Sequence, residues 1–98
     1  MFTIRRTRIF ADWIKALKDF RAQARIADRI DRLAAGNSGD AKPIGEDVSE
    51  LRINYGPGYR VYFVRDGSIV YLLLCGGDKS TQDKDIRLAK KLAQQLRE

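Results

Sequence analysis

The 98-residue chain contains no histidine and a single cysteine, Cys75. Without an imidazole, the common zinc ligand sets and every Ser-His or Cys-His nucleophile pair are excluded. A lone thiol allows no internal disulfide, and Cys75, set in an apolar segment, is expected to be packing rather than a reactive group. No apolar run approaches the roughly 18 to 20 residues that a membrane helix needs. Residues 1–20 scatter Arg5, Arg6, Arg8, Asp12 and Lys15 among the apolar positions. Neither a membrane span nor a signal peptide is expected, and a cytoplasmic location follows. The length suits one domain, 1–98, with a single modest core.

What is abundant is positive charge. Nineteen Lys and Arg against thirteen Asp and Glu give a net charge of +6 and an isoelectric point near 9.8. That balance is the electrostatic footprint of a domain that meets phosphates.

Alternation around Phe2 and Ile4 predicts a short N-terminal strand. From Arg8 the period changes: Phe10, Trp13, Ile14, Leu17 and Phe20 make one face of an amphipathic helix. A second helix follows, with Ile26, Ala27, Ile30, Leu33 and Ala34 on one side and a stop at Gly36-Asn37, giving a helical hairpin. Its other side carries Arg21, Arg25, Arg29 and Arg32, with Asp28 and Asp31 between them. A solvated, salt-bridged face is favoured there over a phosphate-binding stripe.

Residues 36–47 are rich in turn formers and read as a surface loop. Strands are expected from Val48 to Asn54 and from Tyr59 to Arg65, joined by Asn54-Tyr55-Gly56-Pro57-Gly58. A third, from Ser68 to Cys75, is apolar on both faces and is expected to be central and the most buried. Gly76-Gly77 is expected to break that strand. Ser80 with Asp83 reads as the N-cap and capping box of a last helix, whose inward stripe is Ile86, Ala89, Ala93 and Leu96. The fold class is α+β, with helices on an antiparallel-dominated sheet of about four strands.

The simplest register of the middle hairpin sets Leu51 opposite Val61 and Arg52 opposite Arg60. Like charges directly opposite on a sheet are destabilising by up to ~1 kcal/mol, so the pair needs an outside partner, and a phosphate is one. The alternatives are a register shifted by two, or neutralisation by Glu50 opposite Tyr62. Tyr62 on the same face, with Tyr55 and Tyr59 from the loop, supplies rings on which RNA bases stack, although each tyrosine singly is also a good strand former. Lys79 follows the diglycine just before a helix start, where an anion can be met, with Asp78 as a possible local partner.

Four blocks carry a family resemblance: Phe10-x-x-Trp13, Val48-Ser-Glu-Leu-Arg52-Ile, Tyr55-Gly-Pro-Gly58-Tyr59-Arg60-Val-Tyr62-Phe63 and Leu74-Cys-Gly-Gly-Asp-Lys79-Ser80. Together they span nearly the whole chain and resemble the RelE/ParE superfamily of bacterial toxins, in particular its HigB-like, phage-related addiction module killer proteins. The resemblance implies a RelE-like, microbial ribonuclease-like fold and cleavage of mRNA in the ribosomal A site. It also implies silencing by a cognate antitoxin, in HigB-like systems usually a helix-turn-helix protein, and it aligns Arg52 and Arg60 with cationic catalytic positions and puts Lys79 near the place of another, from the last strand. Beyond Tyr71 the chain has no tyrosine or histidine, so the C-terminal tyrosine or histidine of many relatives has no counterpart.

The expected chemistry needs neither metal nor cofactor: the substrate 2′-OH attacks the adjacent phosphate while arginine forks grip its oxygens. Lys79 is the expected proton-transfer group, and Tyr55, Tyr59 and Tyr62 the expected substrate contacts. The rival readings are a ParE-like poison of DNA gyrase and an RNA- or ribosome-binding protein that cuts nothing. A basic face further predicts an acidic antitoxin segment.

Overall fold

The structure is a computed structural model that describes residues 1–97. Its elements are strand β1 (Thr3–Arg6), helices α1 (Arg8–Ala16) and α2 (Phe20–Ala34), strands β2 (Ala41–Gly45), β3 (Val48–Ile53), β4 (Tyr59–Asp66) and β5 (Val70–Gly77), a 3-10 turn at Lys79–Thr81, and helix α3 (Gln82–Arg97). The sheet has five strands in the order β1-β5-β4-β3-β2. It is mixed rather than purely antiparallel, because β1 pairs with β5 in parallel. The α+β class stands; the count of about four strands does not.

The extra strand lies in the segment that reads as a surface loop. Pro43 within Ala41–Gly45 argues against a strand interior, but β2 is an edge strand, where a missing N–H costs no ladder bond. Its return to β3 uses Glu46 and Asp47 at φ of 54° and 63°, a left-handed pair that turns a hairpin without the usual Asn-Gly signal.

One helical stripe also breaks where periodicity runs on. Helix α1 stops at Ala16, and the Gln23 side-chain amide donates to the carbonyls of Ile14 and Leu17 at 3.0 and 2.8 Å. Asp19 then caps α2 by accepting from the Arg21 and Ala22 amides. Phe20 therefore belongs to α2 and is 80% exposed rather than part of an inward face. At the far end the expected stop holds: Gly36 at φ 93° and Asn37 donate to the Leu33 and Arg32 carbonyls, a Schellman closure.

Apolar residues are buried on both faces of the sheet. Phe10, Ala22, Ile26, Ile30 and Leu33 of the hairpin pack on Leu51, Ile53, Tyr59, Val61, Phe63 and Leu73. Ala89 and Ala93 of α3 pack on Val48, Tyr62, Val64, Leu74 and Cys75, while Leu96 is exposed, outside the expected stripe. The central strand is β4, not β5, and it is the more completely buried of the two.

The diglycine does not break β5 but completes it, with Arg60 opposite Gly77 and Val61 opposite Gly76. Its role is close approach: a Cβ on Gly76 would fall 2.4 Å from the Trp13 ring, and one on Gly77 only 1.8 Å from Asp85 Oδ2. Asp85 is itself buried and bonded at 2.6 Å by the Thr81 hydroxyl, so it has little room to give. Gly77→Ala is expected to cost about 2 kcal/mol in urea unfolding, the scale of an overpacked core. Helix α3 is preceded by a cap different from the expected one. Asp78, not Ser80, accepts from the Ser80 amide, and Thr81 closes the capping box ahead of α3.

Candidate functional site

Strand alternation puts Val48, Glu50 and Arg52 on the α3 face of β3, opposite Val64, Tyr62 and Arg60 of β4. The two arginines are thus direct cross-strand neighbours, as their spacing predicts. Gly77 completes the row and sets no side chain over Arg60.

Both guanidiniums converge on one oxygen. Glu50 Oε1 accepts from Arg52 Nε at 3.0 Å and from Arg60 Nη1 at 3.2 Å. Its Oε2 accepts from the Tyr62 hydroxyl at 3.1 Å and from Gln82 Nε2, at the start of α3, at 2.9 Å. The carboxylate is 1% exposed. Burial pushes its pKa up, but the hydrogen bonds from Arg52, Gln82 and Tyr62, with the Arg60 charge, outweigh that and hold it below the usual carboxylate value. A carboxylate so saturated is a poor proton acceptor. It sets the arginines in place instead.

Tyr62 is wholly buried, its ring among the residues that pack on α3. Burial and the neighbouring Glu50 push its phenol well above the ordinary range. With no face open to solvent it stacks no base, contrary to its sequence-predicted role as a substrate contact. Tyr59 is likewise almost wholly buried and lies edge-on to Trp13, with centroids 6.3 Å apart. Only Tyr55 of the three keeps a half-exposed ring, capped by the Arg25 guanidinium 4.7 Å above it. The outward alternation of Tyr62 misleads because α3 gives this face a core of its own. Cys75 is buried as expected, its thiol pushed up to about 12 by burial and then by Asp85, so it is no nucleophile at neutral pH.

Beyond Glu50 the two arginines open on a cleft of about 340 Å³ that is also lined by Asp40, Asn54, Tyr59 and Lys79 and floored by the Gly56–Gly58 loop. Arg52 is the more open of the pair, with 37% of its side chain exposed against 13% for Arg60. Arg60 Nε is buried without a hydrogen-bond partner among the described residues. Lys79 faces the same cleft from the turn before α3. The three cations meet Glu50 and Asp40, so a positive excess remains at the opening.

Two features of the site lay outside the sequence reading. Gln82 is its fourth hydrogen-bonding group, and nothing in its spacing marks it. Arg29 of α2 reaches across to donate to the carbonyls of Arg52, Ser38 and Asp40. It ties the helical hairpin to the backbone that carries Arg52.

The family described as phage derived protein Gp49-like (DUF891) matches residues 12–97. The chain belongs to the Gp49-like family. The match takes in every side chain of the cleft and of the Glu50 network. A Haemophilus influenzae protein described as uncharacterized is 53% identical over 93 residues, which cover 95% of this chain and 94% of the relative. Among the described residues, no helix of this Gp49-like protein is long and apolar enough to cross a membrane.

Proposed function

We propose that this Gp49-like protein is the toxin of a type II toxin-antitoxin module and belongs to the RelE/ParE superfamily. In this reading it is an endoribonuclease that cuts mRNA in the ribosomal A site and is silenced by a cognate antitoxin with a helix-turn-helix fold. The observation that carries the proposal is the placement of Arg52 and Arg60 side by side at an open cleft that Lys79 also lines. The sequence blocks that resemble HigB-like toxins support the same reading.

The chemistry assigned to the cleft is transesterification within the substrate. The 2′-OH gives up its proton and attacks the adjacent phosphorus, the P–O5′ bond breaks, and the products are a 2′,3′-cyclic phosphate and a 5′-OH that takes up a proton. Arg52 and Arg60 bind the non-bridging oxygens and stabilise the charge that builds on them. Arg60 Nε, buried and without a partner among the described residues, becomes available to a phosphate oxygen only if the side chain shifts toward the cleft. Glu50 is engaged by four donors and Tyr62 is wholly buried, and neither lines the cleft, so proton transfer is assigned to Lys79, which does.

The test is to express the protein in cells and map transcript 5′ ends. New ends in phase with codons are the expected result. DNA damage without such ends points to a gyrase poison of the ParE kind, and neither signal leaves a protein that binds RNA or the ribosome without cutting.

A further inference from the structure

A second cleft, larger than the one above, runs elsewhere on the surface. It measures about 620 Å³, lies along the outer face of α2, and is lined by Arg21, Arg25, Asp28, Arg29 and Arg32 and by Asn54 from the end of β3. Asn54 and its neighbour Ile53 line both clefts, so the two border one another at the end of β3. The sequence favoured a salt-bridged, merely solvated helix face here, and the structure gives a different arrangement. Among the described residues, Arg32 alone of these arginines is ion-paired, to Asp28 at 3.0 Å. Arg29 spends its donors on neutral carbonyls, which leaves its charge uncompensated. Arg25 lies over the Tyr55 ring, and Arg21 has no ion-pair partner among the described residues.

We propose that this groove is a binding track for the sugar-phosphate backbone of single-stranded RNA, which it leads toward the Arg52–Arg60 cleft. Four guanidiniums on one helix face, spaced three or four residues apart, span about 16 Å of helix axis at 1.5 Å per residue. That length matches about five phosphates of a stacked strand at 3.4 Å each. Charge complementarity selects a polyanion. The Arg25 guanidinium, stacked on the Tyr55 ring and lining the groove, offers a flat face for a base, which favours RNA over an acidic protein segment. The inference deepens the proposed function and rests on it only for the direction of the track.

Fluorescence anisotropy with a labelled single-stranded 2′-O-methyl RNA tests it, because blocking the 2′-OH separates binding from cleavage. The full-length protein is expected to bind with a negative salt dependence. Arg21→Gln/Arg25→Gln, which removes two phosphate contacts, is expected to lower the slope of log K against log salt by about 1.4 and the affinity at 0.1 M salt by about 25-fold, taking 0.7 per contact for a single strand. Asp28→Asn, which frees Arg32, is expected to tighten binding, so the test does not depend on loss-of-function variants alone. Unchanged affinity and slope in both variants overturns the proposal. So does a polyglutamate chain that binds more tightly than the RNA and is the only ligand the double variant weakens, an outcome that makes the groove an acidic-protein site. Intact RNA binding by a protein that generates no new transcript ends leaves the track standing and removes the nuclease. Codon-phased cleavage with the RNA affinity untouched in both variants does the reverse.

Discussion

Arg60→Ala is expected to slow the appearance of codon-phased 5′ ends in a translation extract by about 10² to 10³-fold. This is the loss typical of removing one preorganised donor from a developing oxyanion. The side chain lines the cleft with Nη1 held on Glu50 and Nε buried without a partner among the described residues, so its guanidinium is fixed in place before substrate arrives. Truncating it also strips Glu50 of a partner, and lost activity alone would not separate chemistry from folding. Arg52 also bonds Glu50, but its greater exposure makes its truncation the gentler test of folding. It is the more exposed of the two, and Arg52→Ala is expected to lose rate on the same scale with an unfolding midpoint near that of the parent. Arg60→Lys keeps the charge but not the two-point fork, and is expected to recover only a minor part of the rate. An Arg52→Ala protein that folds normally and cuts at the parental rate would sink the cleavage proposal.

Glu50→Ala is the change with the largest expected effect on stability. Its carboxylate satisfies Arg52, Arg60, Tyr62 and Gln82 at once, so its removal leaves a buried guanidinium, phenol and amide facing a hole. Breaking a buried, hydrogen-bonded ion pair from one side costs about 3 kcal/mol, visible in urea unfolding and as a fall of about 12 °C or more in Tm for a domain of this size. The sign of the pH dependence follows from the lowered pKa. An unfolded chain binds the Glu50 proton at its ordinary value of 4.5 and the folded chain only below that. The carboxylate's contribution is therefore full above about pH 4.5 and drains away as pH falls through the lower, folded-state value. Glu50→Gln, which cannot titrate, is expected to flatten that acid limb, and a limb identical to the parent's would show that Glu50 is not the group responsible.

These two residues also show how far the sequence could be read. The Arg52–Arg60 adjacency was legible because an alternating hairpin with a compact Gly-Pro-Gly loop has one simplest register, and β3 and β4 adopt it. Neutralisation by Glu50 was one of the alternatives, and the outcome is a compromise: the carboxylate bridges the pair, yet both arginines remain at the cleft. Tyr62 was misjudged because alternation tells which residues share a face and not what covers it. The cover is α3, whose contact depends on small residues at Ala89 and Ala93 and on the bare Gly77, none of which signals burial by itself. Strand β2 was hidden by Pro43 and by a turn built on Glu46 and Asp47 at positive φ, residues that local propensity assigns to loops. The basic groove was visible as a stripe of arginines, but whether intervening aspartates neutralise it is a matter of rotamers and neighbours that spacing alone does not decide.

The parallel pairing of β1 with β5 bears on the order in which the protein acquires its shape. Thr7 at the end of β1 hydrogen-bonds Leu74 across 67 residues of chain, and Thr3 to Arg6 run alongside Val70 to Leu73. Strand β1 therefore waits for β5, more than sixty residues later in the chain, before it finds its place. Contacts so distant in sequence form slowly compared with the local turns of a helical hairpin. Until β5 emerges, the row formed by Arg52, Arg60 and Gly77 does not exist.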